Sequence, residues 1–270
     1  MTFQTESSTN CATLSNSVDL KKSYGDSATS LNISMLLARL KNEILELLFP
    51  LYCLGCRAEG TFLCTGCKNS LIWIPPSCFV CQKLVPPRSR LLAGRTCKYC
   101  RRKSHIWAFL SPFAYEDTMS ELIHGLKYRR ITALDSILAE LLVEYLNKFR
   151  VNFKESPILI PVPLHPGRER VRGFNQSELI ARKLAGRLSF RLEPEVLRKV
   201  KKTSPQVGLP AEERKRNVQN SFLVSRPDEV WHKTVILVDD VKTTGATLEE
   251  AARVLKEAGA KRVWAVTVAH

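Results

Sequence analysis

The sequence predicts an α/β fold on a parallel sheet, preceded by a small cysteine-rich segment that binds metal. Three observations carry this expectation. KTVILVDD (233–240), TLEEAARVLKEAGA (247–260) and KRVWAVTVA (261–269) read as strand, helix and strand, a βαβ unit whose strands lie parallel through a right-handed crossover. Eight of the nine cysteines fall in four C-x-x-C pairs between Cys53 and Cys100. With 270 residues, the chain is long enough for one full domain of about 150 residues and a smaller one.

Taken in chain order, residues 1–30 are rich in Ser, Thr and Asn, show little apolar periodicity and read as a disordered tail containing the lone Cys11. Residues 31–50 set Leu36, Leu37, Leu40, Ile44, Leu47 and Leu48 at helical spacing and end at Pro50, giving an amphipathic helix. Its polar face is mixed in sign, which suits docking on a neighbouring domain rather than a membrane. Arg39, Lys41, Glu43 and Glu46 interrupt this most apolar stretch, so no transmembrane segment is expected. The N-terminus lacks the pattern of a secretory signal, and a cytoplasmic protein is the simplest reading.

Segment 51–103 holds the pairs Cys53/Cys56, Cys64/Cys67, Cys78/Cys81 and Cys97/Cys100. Two such pairs supply four thiolates to a tetrahedral S₄ site, so eight ligands imply two structural zinc ions in a double ribbon, with an iron–sulfur cluster as the other occupant of such a set. Disulfides would need an oxidising compartment, and a redox dithiol would need one pair rather than four. Sequential pairing leaves simple hairpins of seven and fifteen residues, whereas a cross-brace joins the first pair to the third. The hairpins favour the sequential scheme.

The net charge of +15 is uneven, at −1 over residues 1–50, +9 over 51–103 and +7 over 104–270. A basic surface favours polyanionic partners. Around the last cysteine pair, Lys98, Tyr99, Arg101, Arg102 and Lys103 interleave cations with an aromatic ring, which suits phosphate contact and base stacking on single-stranded DNA. A solvated basic hairpin is the plainer alternative.

Residues 104–270 form the α/β part. IWAFLSPFAY (106–115) is extended, 118–128 and 134–148 are helical, ILIPVPLH (158–165) is a strand entering a basic loop, and 177–188 is a helix with Ile180, Leu184 and Leu188 on one face. The polar stretch 198–217 reads as a long mobile loop, whose Arg198, Lys199, Lys201 and Lys202 could close over a site. Asp239 and Asp240 end the penultimate strand, where ligands of parallel sheets bind. The loop Val241–Thr247 follows, and Thr247 with Glu250 gives a capping-box pattern. Backbone N–H groups and the hydroxyls of Thr243, Thr244 and Thr247 make an anion cradle that Gly245 lets a ligand approach. Acids beside a phosphate cradle suit the hydroxyls of a phosphorylated sugar, or magnesium bridging to it, and together they describe a 5-phosphoribosyl group. No P-loop motif accompanies the acidic strand end.

VILVDDVKTTGAT (235–247) resembles the phosphoribosyl-pyrophosphate (PRPP) signature of type I phosphoribosyltransferases. PVPLHPGRERVRGFNQSELIA (161–181), SPQVGLPAEERKRNVQNSF (204–222) and the four cysteine pairs resemble the ComF/GntX family, a double zinc ribbon joined to a phosphoribosyltransferase domain. That resemblance implies a type I phosphoribosyltransferase-like sheet with a hood, PRPP and Mg²⁺ as ligands, and a part in natural competence alongside DNA-uptake machinery at the inner face of the membrane. By position, Asp239 and Asp240 face the ribose hydroxyls. The same resemblance implies that Val241, Lys242, Thr243, Thr244, Gly245, Ala246 and Thr247 hold the 5-phosphate and that Arg168, Arg170 and Arg172 meet the diphosphate. The chain departs from the pattern in its N-terminal tail and at Gln82, where a glycine commonly follows the cysteine pair. Two functions stay open: a factor that handles single-stranded DNA, and a working phosphoribosyltransferase toward an unidentified acceptor. The hood residues His124, Lys127 and Tyr128 would then supply the acceptor pocket. No N-terminal glutaminase-like cysteine is present.

Overall fold

A computed structural model describes residues 51–85, 93–153, 155–203 and 210–270. The expected tail, Cys11 and the helix over 31–50 lie outside the described residues, as does 204–209 of the expected loop. The order of elements is α1 (Thr65–Ser70), β1 (Ile106–Leu110), α2 (Asp117–Lys127), α3 (Leu134–Lys148), β2 (Ile158–Pro161), α4 (Pro166–Arg172), α5 (Gln176–Leu188), β3 (Arg191–Leu192), β4 (Leu197–Lys199), α6 (Ala211–Val218), β5 (Phe222–Val224), β6 (Thr234–Val241), α7 (Ala246–Glu257) and β7 (Arg262–Ala269).

Five strands form one parallel sheet in the order β1-β7-β6-β2-β3, and β4 and β5 form a separate antiparallel pair. The near-continuous apolar runs of β6 and β7 follow from burial on both faces of the sheet. Ile236, Val238, Trp264 and Val266 face one core, which α2, α3 and α5 cover through residues such as Leu122, Leu138 and Ile180. Val235, Leu237, Val263 and Ala265 face the other, which α7 covers with Leu248, Ala251, Ala252 and Leu255.

The strand order creates a switch point. From β2 the chain passes through α5 to β3 on one side, whereas from β6 it passes through α7 to β7 on the other. Between the carboxyl ends of β2 and β6 the connections therefore diverge and leave a crevice.

The cysteine-rich segment docks on both cores through the residue that follows the first cysteine of a pair. Leu54 joins the core under α2 and α3, and Phe79 joins the core under α7. Trp73 packs on Phe113 with ring centroids 4.7 Å apart and the rings tilted by 43°, and Lys68 bridges to Glu140 at 3.1 Å on α3. Along the outer edge of β1 the chain pairs Thr96 N–H with Trp107 O at 2.9 Å and Phe109 N–H with Gly94 O at 2.9 Å. Gly94 has φ +72, and a Cβ there would lie 2.0 Å from Phe109 O, so only glycine fits this approach.

Three local expectations change. The basic stretch after β2 is a helix: Pro166 starts α4, His165 Nδ1 accepts the Gly167 N–H at 3.1 Å, and left-handed Gly173 ends it. The stretch 198–217 is not one loop, because it contributes to β4 and supplies α6. The capping box is absent: Gly245 at φ +80 caps α7, and the Glu250 carboxylate instead accepts the Asn220 N–H at 2.7 Å and pairs with Arg253.

Phe113 sits at the junction of these parts, 2 % exposed, against Trp73 and bridged to Ala269 beyond the end of β1. Phe113→Ala is expected to lower stability by roughly 3–5 kcal/mol, read from the midpoint of urea denaturation. An unchanged midpoint would contradict this packing.

Candidate functional site

Asp239 and Asp240 stand at the end of β6, in the crevice. Asp239 Oδ1 accepts the Ser177 hydroxyl at 2.7 Å and the Asp240 N–H at 3.0 Å. Asp240 Oδ1 accepts the Val241 N–H at 3.0 Å, and its Oδ2 contacts the Lys127 ammonium. Burial pushes the Asp239 carboxyl above the usual carboxylate range, while Ser177, Lys127 and Lys199 pull it back.

The sequence FNQS (174–177) makes this arrangement. Asn175 caps α5 by accepting the Ser177 N–H at 3.1 Å, and its amide donates to Val162 O at 3.1 Å. It thereby ties the end of β2 to the start of α5 and aims Ser177 at Asp239.

Both acids line a cavity of about 640 Å³ together with Arg168 and Arg172 of α4, Lys127 of α2, Lys199 of β4 and Arg214 of α6. Arg168 donates to Thr203 O at 2.8 Å, and Arg172 lies 5.6 Å over the Tyr128 ring. Burial lowers Lys127 to about 8, with Arg172 acting in the same sense and Asp239 opposing. Burial likewise lowers Lys199 to about 8, with Arg168 in the same sense and Asp239 opposing. The 241–247 loop closes another side. Lys242 N–H donates to Ala269 O at 3.0 Å, and Thr243 and Thr244 are exposed. Past left-handed Gly245, the start of α7 lines the cavity with Ala246, Thr247 and Leu248. Tyr115, His124 and Tyr128 form an aromatic ladder on the α2 side, with ring centroids 6.4 and 5.1 Å apart. Acids, cations and helix N–H groups in one cavity suit a ligand that carries both hydroxyls and phosphates.

Of the expected site residues, Asp239, Asp240, Val241, Lys242, Thr243, Gly245, Ala246 and Thr247 line the cavity, with Arg168 and Arg172. Thr244 and Arg170 are not on its wall; Thr244 Oγ1 accepts the Ala246 N–H at 3.4 Å, and Arg170 points outward from α4 as an exposed side chain. Ser177 and Arg214 were not foreseen. Ser177 carried a helix-start signal in Asn175, whereas nothing in the sequence distinguished Arg214 from its basic neighbours.

The cysteines gather as Cys53, Cys56, Cys64 and Cys67 and as Cys78, Cys81, Cys97 and Cys100, with the sulfurs of each set within 4.8 Å of one another. This is the sequential scheme. Each set fits one metal ion. Burial acts to raise Cys53, but N–H groups of Cys64, Cys56 and Gly55 outweigh it and lower the thiol to about 6. At Cys78 the same balance, with N–H groups of Cys81, Cys97 and Val80, leaves it at about 7. Such N–H···S donors stabilise thiolate ligands. Arg57 and Gln82 both turn left-handed after their pairs, at φ 67 and 56, so Gln82 adopts the backbone a glycine would take more easily.

On the second ribbon, Tyr99 is 78 % exposed with Lys98 Nζ 5.0 Å from its ring centroid, and Arg101, Arg102 and Lys103 form an exposed 3₁₀ turn. Arg95 and Arg262 flank Trp107, at 5.3 and 4.8 Å from its ring. Burial and the charges of Arg101 and Arg262 lower Arg95, so cations crowd this face. Among the described residues no helix is long and apolar enough to cross a membrane.

A phosphoribosyl transferase domain model matches residues 175–270. The chain is 35% identical over 204 residues to the DNA utilization protein YhgH of Escherichia coli O6:H1, covering 74% of this chain and 87% of that protein. It is 30% identical over 223 residues to competence protein F of Haemophilus influenzae, covering 80% and 95%. With competence protein ComFC of Bacillus subtilis it shares 30% identity over 209 residues, covering 73% and 79%.

The two lysines give the cavity a pH dependence. Lys127 and Lys199 are cationic below about pH 8 and lose their protons above it. An anion held by them therefore binds with proton uptake at higher pH, and its affinity falls as pH rises through about 8. Sulfate, dianionic throughout this range, is the suitable probe in calorimetric titrations from pH 7 to 9.5; affinity that stays level across this range would exclude the two lysines as its ligands.

Proposed function

Because the chain belongs to the ComF/GntX family, we propose that it handles single-stranded DNA during DNA uptake, with its α/β part recognising a phosphoribosyl group and its cysteine-rich part gripping the strand. The observation that carries the ligand reading is the cavity itself, where Asp239 and Asp240 face Arg168, Arg172, Lys127 and Lys199 beside the start of α7. The acids take ribose hydroxyls, the 241–247 loop takes the 5-phosphate, and the cations take a diphosphate. Magnesium, a hard cation that takes oxygen donors, would be held by the Asp239 and Asp240 carboxylates and would offset the charge of a phosphorylated ligand. Zinc fits the two S₄ sets, one of Cys53, Cys56, Cys64 and Cys67 and one of Cys78, Cys81, Cys97 and Cys100, and would hold the ribbons folded. The relatives' names supply the setting in competence and DNA utilization, and the patch of Tyr99, Arg101, Arg102, Arg95 and Arg262 supplies cations around aromatic rings for an unpaired strand.

A second reading, transfer of the phosphoribosyl group to an acceptor, draws on the same four cations. Departure of diphosphate from the ribose C1 leaves an oxocarbenium-like centre, and Arg168, Arg172, Lys127 and Lys199 are disposed to neutralise the leaving group. Tyr115, His124 and Tyr128 form the wall that an acceptor would meet.

Two measurements test these assignments. Replacing Asp239→Asn and Asp240→Asn together is expected to weaken PRPP binding in the presence of Mg²⁺ by at least about a hundredfold, since each hydrogen bond to a charged group contributes roughly 1.5–3 kcal/mol. Calorimetry reads the loss, diphosphate release reads any turnover, and wild-type affinity in the double variant would refute the site. For the strand, Arg101→Glu with Arg102→Glu is expected to weaken binding to labelled oligothymidylate and to reduce the slope of log K against log salt by roughly 1.4, at about 0.7 for each lost phosphate contact. If wild-type protein fails to bind the oligonucleotide at low salt, the DNA assignment is wrong.

A further inference from the structure

The second cysteine cluster reaches the 241–247 loop through one side chain. Phe79 lies between Cys78 and Cys81, and its ring is 6 % exposed although the rest of the turn, Val80–Leu84, is exposed. The ring stands edge-on to Phe109, with centroids 5.5 Å apart at 75°. It presses on the loop at two points. Lys242 Nζ lies 5.2 Å from its centroid, and a Cβ on Gly245 would come within 2.7 Å of Phe79 Cζ. Gly245 is therefore required twice, once for its positive φ of 80° and once for the closeness of this ring.

We propose that Phe79 is a positioning residue for the phosphate loop, and that metal bound to Cys78, Cys81, Cys97 and Cys100 thereby sets the affinity of the cavity for a phosphorylated ligand. The turn that carries Phe79 has almost no core of its own. Its backbone is held by Cys78 N–H to Lys83 O at 3.0 Å, by Gln82 N–H to Cys78 O at 2.9 Å and by Cys97 N–H to Cys78 Sγ at 3.4 Å. These bonds fold the turn around Cys78 and tie it to Cys97, two of the four residues whose sulfurs converge. Releasing the metal frees the turn, and the loop loses the surface against which Lys242 and Gly245 rest. Coupling of this kind needs no direct contact between metal and ligand, only a packed chain between them.

The inference rests on reading 241–247 as the phosphate loop, and two readouts keep the two ideas apart. The full-length, metal-loaded protein is compared with Phe79→Ala, Phe79→Leu, Cys81→Ser and, as a control on the exposed face of the same turn, Val80→Ala. Metal analysis reads zinc equivalents, hydrogen exchange reads the amides of 241–248, and calorimetry reads PRPP affinity with Mg²⁺. Phe79→Ala is expected to keep both zinc equivalents, to speed exchange in 241–248 while β7 stays protected, and to lose PRPP affinity by roughly three- to thirtyfold. Cys81→Ser is expected to lose one equivalent and to speed exchange in the same segment. Val80→Ala should match wild type in all three. Wild-type exchange in 241–248 for either Phe79→Ala or Cys81→Ser overturns the proposal. Should Phe79→Ala lose protection throughout the chain, Phe79→Leu is judged by the same criteria. If wild-type protein does not bind PRPP, the ligand reading fails, while the exchange data still decide the coupling.

Discussion

The cavity depends on the register in which β2 and β6 run side by side. Pro161 pairs with Val238, and Val162 N–H reaches Val238 O at 2.9 Å, so β2 stops there while β6 runs on through Asp239, Asp240 and Val241 against β7. The next residues of one strand lead into α4 and those of the other are Asp239 and Asp240. A slip of one residue would turn the acids to opposite faces and separate them from the arginines. Both strands are buried on two sides, so the register is enforced by the packing of two cores rather than by hydrogen bonds alone. The ligand chemistry is a by-product of where a hydrophobic sheet has to stop.

Charge burial gives the cavity its character. Asp239 and Lys127 are both driven toward their neutral forms by loss of water, and each is held back by the opposite charge of the other. The contact between Lys127 and Asp240 completes this arrangement. A buried pair of this kind contributes little net stability, because desolvation offsets most of the attraction. A ligand that brings hydroxyls to the acid and phosphate to the lysine can therefore replace the pair at modest cost. The ion pair fills the site with the same complementarity that a ligand would use.

The parts legible in the sequence were those governed by local pattern. β6, α7 and β7 were readable because a strand buried on both faces must be apolar throughout, and because Asp239 and Asp240 interrupt that run abruptly. The C-x-x-C spacing identified two S₄ sets but left their pairing to loop lengths, since spacing fixes which sulfurs converge within a pair and not which pairs meet. The sulfurs of the first two pairs converge and those of the last two converge, with Leu54 anchored in one core and Phe79 in the other. Less legible were features that depend on distant partners. Lys199 looked like one more cation in a basic run until β4 paired with β5 and turned it toward Asp239. The helix α4 begins at Pro166 under the His165 cap, but its run of three arginines carries no apolar periodicity from which a helix could be read. Glu250 matched a capping box by spacing alone, but left-handed Gly245 took the cap position and Asn220 took the carboxylate.

Gly94 and Thr96 sit hydrogen-bonded along the outer edge of β1. An open edge strand is a template on which any extended chain can add itself, and sheet proteins blunt it in various ways. Here the cysteine-rich segment does so, and its fit depends on a glycine at the point of closest approach. The opposite edge, β3, is only two residues long and offers little to pair with. The cysteine-rich segment thus acts as an end-stop that makes the sheet a finite object. Shedding it would leave the α/β part with its cavity wall unsupported and its backbone open to self-association, which ties the two halves of the chain together for reasons of solubility as much as of recognition.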